Sequence, residues 1–243
     1  INFDNEYCKK LINNVKEDIN VLTYSLENEN ADLYAFNIQF DEKGYSNFDI
    51  KYKNNIFKNI HLNVIGVHNV SNACACILTC LAHNIEFDDI KNGLEEFTGS
   101  QRTFEYKGKT KSGADIYDDY AHHPTEINAL LNACSNKKHS KIIAIFQPHT
   151  YSRTKTLFDE FATCFDKCDL TIITDIYAAR EIDDGTISSQ MLVDKINTLY
   201  PQKAIYISSF EDIEKYINEN TSKNDIVLTI GAGNITNISN LLI

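Results

Sequence analysis

The sequence predicts an α/β protein whose second half contains a mostly parallel sheet. Four short apolar runs, too short for helices, are each followed by polar residues and then by a helical pattern. They are residues 114–117, 142–146, 170–174 and 226–230. Because parallel strands present their carboxyl ends at one edge of a sheet, the polar residues after these runs are expected to meet at a ligand-binding edge.

The first polar segment, residues 117–124 (YDDYAHHP), ends at a predicted helix start. Pro124 suits the first helical turn, where its missing N–H is not needed, and a helix N-terminus can face an anion. Asp119, Tyr120 and His122 are therefore candidate site residues. The alternative is that the acids are solvated in a capped loop and that His122 and His123 only cap the helix or hydrogen-bond the loop.

The other three segments have the same position relative to their strands. Residues 147–154 (QPHTYSRT) contain His149 and Arg153 and precede a helical pattern over 157–165. Residues 175–181 (DIYAARE) follow the third run, and residues 231–234 (GAGN) follow the fourth. Within the third segment, Arg180 and Glu181 could form an ion pair with each other or contact a ligand.

Arginine is rare in this chain and is placed where anions would bind. Only three of the 23 basic residues are arginines, namely Arg102, Arg153 and Arg180. Since lysine serves elsewhere, arginine is expected where a planar, bidentate donor to phosphate or carboxylate is needed. Three ordinary surface ion pairs are the alternative.

Length and charge limit the classes of function. A chain of 243 residues can form one large or two modest cores, and its formal charge of −11 argues against nucleic acid or a membrane surface as the main partner. No secretory pattern or membrane-spanning run is visible, and the seven cysteines lack the spacing of a disulfide framework or of a zinc site. A reducing cytoplasm is the expected location, and no metal site is expected within this chain.

The first 99 residues are predicted to form a separate domain. A helical pattern over 7–19 and a strand over 20–24 precede antiparallel strands at 33–40, 48–52 and 56–65. Residues 66–73 (GVHNVSNA) lead into a buried helix over 73–82, and a second helix spans 88–97. Asn69 and Asn72 are expected to share one helix face, where their amides cap the helix or contact the edge of a base.

Residues 108–110 (GKT) are not a phosphate-binding P-loop. The first glycine that the motif requires would fall on Thr103, and no helix follows. We interpret these residues as a hairpin turn between strands at 103–107 and 111–117.

Five segments together resemble the Mur ligases. They are residues 66–73 (GVHNVSNA), 101–105 (QRTFE), 118–126 (DDYAHHPTE), 146–154 (FQPHTYSRT) and 175–181 (DIYAARE), in the order in which the family has them. The resemblance implies a truncated central ATPase domain over residues 1–99 and a Rossmann-like C-terminal domain over residues 100–243. The N-terminal UDP-sugar domain, the P-loop and the magnesium ligands would then precede this chain, which alone would be inactive.

The resemblance implies ATP-dependent amide formation in peptidoglycan precursor synthesis, with ATP and Mg²⁺ as cofactors. UDP-N-acetylmuramate and L-alanine are the expected substrates, and the reaction would pass through an acyl phosphate. The FQPH turn also fits a relative that reattaches a recycled tripeptide. A folylpolyglutamate synthase type is a further alternative, and so is a non-catalytic module that binds a nucleotide.

The resemblance also implies roles for individual residues. His68, Asn69, Asn72, Arg102 and Asp119 would bind ATP, whereas Tyr120, His122, His149 and Arg153 would contact the sugar-lactyl carboxylate and the amino acid. Arg102, Asp119, His122 and Arg153 are the predicted catalytic residues. Thr150 departs from the pattern, because many members carry a basic residue there, and more of the charge would therefore fall to Arg153.

Overall fold

A computed structural model describes residues 1–16 and 18–243. The chain divides into two compact units, Ile1–Thr98 and Gly99–Ile243. The division lies one residue before the boundary expected at residue 99. In the described part of the chain, no helix combines the length and the apolar character that crossing a membrane requires.

The first unit is a four-stranded sheet with two helices packed on it. Its sheet order is β1-β2-β3-β4, with β1 parallel to β2 and the other pairs antiparallel. Its core joins both element types, for example Ile50 and Ile60 from the sheet and Ile77 from the longer helix. The elements are α1 Glu6–Ile12, β1 Tyr24–Ser25, β2 Leu33–Phe40, β3 Tyr45–Tyr52, β4 Asn55–Ile65, α2 Val67–Ala82 and α3 Phe87–Glu96.

The three predicted antiparallel strands of this unit are confirmed, but two predictions near the N-terminus are wrong in extent. Helix α1 ends at Ile12 and is followed by Asn13 and Asn14. The Asn14 side chain donates a hydrogen bond to the Lys10 carbonyl. Asparagine is a poor helix former because its side chain competes in this way for backbone hydrogen bonds. The predicted strand at 20–24 shortens to Tyr24–Ser25, because the Thr23 N–H donates to the Asp32 carboxylate instead of a ladder partner. Part of the predicted helix falls on Glu17, which lies outside the described residues.

The second unit is a six-stranded sheet with helices on both faces. Its order is β5-β6-β10-β7-β8-β9, and every neighbouring pair except the antiparallel β5 and β6 is parallel. The elements are β5 Glu105–Lys109, β6 Asp115–Asp119, α4 Pro124–Ser135, β7 Ile142–Phe146, α5 Tyr151–Thr156, α6 Phe158–Thr163, β8 Leu170–Ile173, α7 Ser189–Leu199, β9 Ala204–Tyr206, α8 Phe210–Asn220, β10 Ile226–Ile230 and α9 Thr236–Leu241. The predicted α/β class, the mostly parallel sheet and the four predicted strand runs are confirmed.

Alternating side chains of the central strands fill two separate cores. Ile142, Ala144 and Phe146 of β7 face a core built with α4, α6 and α7, whereas Ile143 and Ile145 face a core built with α8 and α9. All five residues of β7 are buried, as expected for a parallel strand covered on both faces. The sheet is therefore held from both sides, which fixes the edge where its parallel strands end.

Two local predictions in this unit need correction. The turn between β5 and β6 is Thr110–Ala114 and not residues 108–110: the Thr110 N–H donates to the Ala114 carbonyl at 2.9 Å, while Gly108 lies inside β5 at a bulge. The helical pattern over 157–165 corresponds to α6, which is shorter, and a separate short helix, α5, precedes it where only a polar turn was expected. The two helices are separated at Leu157, whose backbone leaves the helical region at φ −107° and ψ 26°. The bulge and the break depend on tertiary packing, which the apolar pattern does not encode.

A buried ion pair connects β6 to β10 and α9. The Asp118 carboxylate is fully buried and accepts hydrogen bonds from Arg102 Nε at 2.8 Å, Thr229 Oγ1 at 2.6 Å and Thr236 Oγ1 at 3.0 Å. Arg102 Nη2 also donates to the Gly231 carbonyl at 2.5 Å. Because both charges are hydrogen-bonded, loss of one partner would leave the other uncompensated in a largely dry site.

We expect Asp118→Ala to lower the free energy of unfolding of the second unit by about 2–4 kcal/mol. Breaking a buried pair typically costs about 3–5 kcal/mol, and the partial exposure of Arg102 reduces this cost. Urea unfolding, with hydrogen exchange of the β6 and β10 amides, measures the change. The matched control is Asp166→Ala, whose carboxylate is 42% exposed beside Lys167 and whose loss should cost below about 0.5 kcal/mol. Equal stability of the two variants would contradict the assignment.

Candidate functional site

The carboxyl ends of four parallel strands lie side by side. Ile230 of β10 pairs in register with Asp119 of β6 and with Phe146 of β7, and Phe146 pairs with Ile173 of β8. The polar segments that follow these residues therefore leave the sheet from one edge, as the sequence predicted. The pairing of β7 with β8 continues beyond the strands, since the Thr150 N–H donates to the Tyr177 carbonyl at 2.9 Å.

Arg102 stands at this edge as a fixed, partly exposed cation. Its Nε and Nη2 atoms are held by Asp118 and by the Gly231 carbonyl, and its guanidinium carbon lies 4.9 Å from the centre of the Tyr120 ring. The side chain keeps 22% of its surface exposed. Sequence reasoning found Arg102 and missed Asp118, whose partners Thr229 and Thr236 are more than a hundred positions away.

Asp119 is nearly buried and connects two loops of the second unit. Its two carboxylate oxygens accept hydrogen bonds from the Phe104 and Ala121 N–H groups, both at 2.8 Å. Burial raises the pKa of the carboxyl to about 6, although the two backbone hydrogen bonds act in the opposite direction. Asp119 thus positions residues 104 and 121 around the strand end.

The two adjacent histidines have different environments. His123 is the N-cap of α4: its Nδ1 accepts from the Thr125 N–H at 3.3 Å, and Glu126 completes a capping box. His122 does not cap the helix; its Nδ1 lies 3.0 Å from the Tyr120 carbonyl oxygen and 3.5 Å from Glu126 Oε2. The alternative expected helix capping or loop hydrogen bonds from these histidines, and the structure contains one of each: His123 caps the helix, and His122 bonds to the loop.

His122 and His149 come from different strand ends and lie together. Their ring centroids are 6.0 Å apart, and His122 also meets the Tyr120 ring edge-on at 5.4 Å. His149 is stacked on the Tyr177 ring with centroids 5.6 Å apart. Tyr177 was not among the predicted site residues, yet its ring and its backbone both hold the turn that carries His149.

Arg153 lies one helical turn from His149 and contacts it directly. Arg153 Nη1 is 3.2 Å from His149 Nδ1 and 3.5 Å from the His149 carbonyl oxygen. Burial, followed by the charge of Arg153 and the neighbouring His122, lowers the pKa of His149 below its usual value of 6.5. His149 is therefore a neutral imidazole at pH 7, and Arg153 carries the positive charge.

An open cleft of about 460 Å³ adjoins Arg153. Glu181 forms one of its walls and accepts hydrogen bonds from the Ser152 N–H at 2.9 Å and from the Ser152 hydroxyl. The ion pair considered for Arg180 and Glu181 does not form in the described part of the chain, where Arg180 is exposed. The cleft is lined by Thr150, Ser152, Arg153, Thr156, Leu157 and Glu181.

The glycine-rich segment after β10 packs against this edge and does not form a phosphate loop. A Cβ atom on Gly233 would lie 2.3 Å from Gln147 Oε1 and 2.8 Å from Tyr177 Cγ, so only glycine fits there. Gln147 binds the same segment, donating to Asn234 Oδ1 at 2.8 Å and accepting from the Ile235 N–H at 3.2 Å. The same segment thus packs against the Tyr177 ring, which also stacks on His149.

The first unit brings His68, Asn69 and Asn72 together at the start of α2. Asn72 Nδ2 donates to Asn69 Oδ1 at 3.2 Å, and Asn69 Nδ2 donates to the Ile65 carbonyl at 2.8 Å. The prediction that Asn69 and Asn72 share one helix face is confirmed. Their amides do not cap the helix, since Gly66 is the N-cap and no side chain forms a capping hydrogen bond. Burial lowers the pKa of His68, whose Nδ1 atom is buried without a hydrogen-bond partner in the described structure.

No group of three or more histidine, cysteine, aspartate or glutamate side chains in residues 1–16 and 18–243 has the arrangement of a metal site. The described chain thus offers two separate sets of polar side chains. One is the amide and imidazole group at the start of α2, and the other is the arginine, histidine and carboxylate group at the sheet edge of the second unit.

Two family models match the chain, one in each unit. The Mur ligase middle domain matches residues 1–80, and the Mur ligase glutamate ligase domain matches residues 103–233. The chain is also similar to curated proteins called UDP-N-acetylmuramate--L-alanine ligase. The Clostridium botulinum (strain Hall) protein is 47% identical over 92% of this chain and 48% of its own length, and the Clostridium perfringens (strain 13) protein is 43% identical over 100% and 52%.

Solved structures agree with these matches. The UDP-N-acetylmuramate-alanine ligase MurC of Thermotoga maritima is 25% identical with a TM-score of 0.74, over 91% of this chain and 46% of that protein. A murein peptide ligase from Psychrobacter arcticus shares the fold at 22% identity and a TM-score of 0.66, over 91% and 45%. The chain spans about half the length of the curated relatives it matches. It belongs to the Mur ligase family.

Proposed function

We propose that this chain is part of an ATP-dependent ligase that joins L-alanine to the lactyl carboxylate of UDP-N-acetylmuramate. The observation that carries the proposal is the cluster of Arg153, His149 and His122 at the sheet edge of the second unit. Such a cluster fits a small carboxylate, because the Arg153 guanidinium is a strong donor to it. Relatives at 43–47% identity bear the name of this activity.

The chemistry depends on positioning and charge neutralisation more than on a protein nucleophile. The substrate carboxylate would attack the γ-phosphate of ATP, and the amine would then displace phosphate from the acyl phosphate. ATP supplies the phosphoryl group, and Mg²⁺, whose ligands we place outside this chain, would neutralise its charge. The residues described here would hold the carboxylates and the amine.

Tyr120, His122, His149 and Arg153 are the proposed contacts to the sugar-lactyl carboxylate and the amino acid. Arg153 is positioned from two sides: its guanidinium lies on His149, and its backbone N–H lies 3.4 Å from Thr150 Oγ1. Thr150 stands where many family members have a basic residue. Its hydroxyl caps the start of α5, and it contributes no charge. The positive charge of the cleft wall would then come from Arg153.

We propose ATP contacts in each unit separately. In the first unit, Asn69 and Asn72 present amides on one face beside His68, a suitable arrangement for the edge of a base. In the second, Arg102 has its Nε and Nη2 atoms bonded within the protein, so Nη1 is the atom we assign to a phosphate oxygen. Asp119 retains carboxylate lone pairs that could accept a hydrogen bond from a ribose hydroxyl.

We assign residues 1–99 to the C-terminal part of the central ATPase domain and residues 100–243 to the C-terminal domain of the ligase. The positions of the two family matches support this assignment. Turnover would require the P-loop and the UDP-sugar domain, so we propose that the 243 residues alone are inactive. A reaction on soluble nucleotide precursors would take place in the cytoplasm.

The direct test uses an assembled ligase, in which this chain is joined to the preceding half of the Clostridium perfringens relative. We expect phosphate release that requires ATP, Mg²⁺, UDP-N-acetylmuramate and L-alanine together. Arg153→Lys should lower kcat/KM for L-alanine about tenfold or more, because lysine lacks the planar fork that binds a carboxylate through two N–H groups.

Lys167→Arg is the control for that test, since it exchanges the same two side chains at an exposed position that precedes β8, and it should leave kcat/KM unaltered. Phosphate release only with a tripeptide would instead support the murein-recycling activity. Nucleotide binding without turnover, whichever amine is supplied, would support a non-catalytic module.

The raised pKa of Asp119 predicts a specific pH dependence. In the folded chain its carboxyl should titrate near pH 6, whereas in the unfolded chain it titrates near 3.8. Because the folded state binds the proton more tightly, the contribution of Asp119 to stability should fall as pH rises from about 4 to about 6. The ¹³C chemical shift of Asp119 Cγ measures the midpoint. Asp184 is the internal control, because its hydrogen bonds to Thr186 lower its pKa. A midpoint for Asp119 at or below 3.8 would contradict the prediction.

A further inference from the structure

The hydrogen-bond partner of His122 fixes which of its ring nitrogens carries the proton. His122 Nδ1 lies 3.0 Å from the Tyr120 carbonyl oxygen, and a carbonyl oxygen can only accept. Nδ1 must therefore be the N–H donor, with the Glu126 carboxylate 3.5 Å away on the same side of the ring. When His122 is neutral, its Nε2 atom carries a lone pair.

The partner of His149 fixes the opposite arrangement. His149 Nδ1 lies 3.2 Å from Arg153 Nη1, and a guanidinium can only donate. Nδ1 must therefore be the bare nitrogen, and the proton of the neutral ring is on Nε2. The low pKa of His149, caused by burial and by Arg153, keeps this ring neutral at pH 7.

The two rings thus offer one acceptor and one donor at the same edge. Their centroids are 6.0 Å apart, so a reacting group that contacts one ring is within reach of the other. Tyr120 and Tyr177 hold the rings by contacts at 5.4 Å and 5.6 Å. The charges of Arg153 and Glu181 affect the pKa of His149. Glu126 lies beside His122.

We propose that His122 Nε2 accepts the proton that the amine loses during amide formation, and that the His149 Nε2–H donates to the oxyanion of the tetrahedral intermediate. This proposal rests on the proposed ligase function and assigns separate roles to two residues of the same site. Glu126 is then a positioning residue for His122, because its carboxylate stabilises the imidazolium that forms. Arg153 has the same relation to His149, since it determines the position of the His149 proton.

The step balances without another reactant. The amine nitrogen forms a bond to the carbonyl carbon of the acyl phosphate, and the carbonyl electron pair moves to oxygen. As that bond forms, the nitrogen becomes acidic and its proton moves to His122 Nε2. The carbon–oxygen bond to phosphate then breaks, and inorganic phosphate leaves with the electron pair. The amide product remains, and His122 returns its proton to solvent.

The tautomers can be measured in this chain without any turnover. Long-range ¹H–¹⁵N NMR of the 243-residue chain at pH 7.5 should show His122 protonated on Nδ1 and His149 protonated on Nε2. Arg153→Ala should remove the fixed pattern from His149 and leave that of His122 unchanged. If both rings showed the same tautomer in the parent chain, the proposal would be wrong.

The catalytic role is measured in the assembled ligase with two nucleophiles. Both nucleophiles give up one N–H proton, but hydroxylamine is neutral at pH 7 and attacks an acyl phosphate rapidly without a protein base, whereas the more basic amine of L-alanine would depend on one. His122→Gln should therefore lower the ratio of the L-alanine rate to the hydroxylamine rate about 100-fold, the low end of what a general base contributes. His139→Gln is the matched control, because His139 precedes β7 and bonds to the Lys137 carbonyl, away from the carboxyl ends of the strands.

The outcomes distinguish the proposed ligase function from the proposed proton transfer to His122. An unchanged ratio in His122→Gln, with both rates reduced equally, would show that His122 only positions the acyl phosphate and would overturn the proposal. Hydroxamate formed by the parent enzyme, together with the falling ratio, supports both the ligase and the proton transfer. Absence of hydroxamate from the parent enzyme would contradict the ligase function itself, and with it the assignment of His122, whatever the NMR tautomers show.

Discussion

The insertion of β10 between β6 and β7 is the constraint on which the rest of the second unit depends. It is the last strand in sequence, yet it pairs with both neighbours over all five of its residues. Thr229 then reaches Asp118, and Gly231 follows directly and accepts from Arg102. Without this pairing, the segments after β6 and β7 would have no common edge, Arg102 would lose the Gly231 carbonyl, and Asp118 would lose Thr229.

The edge combines rigid supports with a few exposed polar atoms. Buried hydrogen bonds hold Asp118, Asp119 and Gln147, and none of these side chains is more than 9% exposed. Arg102, one of the partners of Asp118, remains partly exposed. This division is what a reaction governed by positioning requires, because the groups that would contact substrate are oriented by neighbours that do not move into solvent. Arg153 and the neutral His149 are a second example: the arginine carries the positive charge, and its contact with the imidazole fixes the orientation of the guanidinium.

Much of the fold could be predicted from the sequence, because the four parallel strands are short apolar runs with polar residues at one end. His122, His149 and Arg153 could be found for the same reason, since each follows such a run. Residues whose importance comes from distant partners could not be found in this way. Asp118 bonds to Thr229, 111 positions away, and Glu181 bonds to Ser152, 29 positions away. Helix α5 was missed because its residues, YSRTKT, are mostly polar and show no apolar helical face.

The most direct test of the central claim, that this chain serves an acyl-phosphate ligase, follows the oxygen atoms of the substrate. UDP-N-acetylmuramate labelled with ¹⁸O in its lactyl carboxylate is incubated with the assembled ligase, ATP, Mg²⁺ and L-alanine, and the phosphate released is analysed by mass spectrometry. If the reaction passes through an acyl phosphate, we expect one ¹⁸O atom in each phosphate, because the carboxylate oxygen that attacks ATP leaves with the phosphoryl group. Release of unlabelled phosphate would mean that water had attacked ATP and would contradict the ligase mechanism.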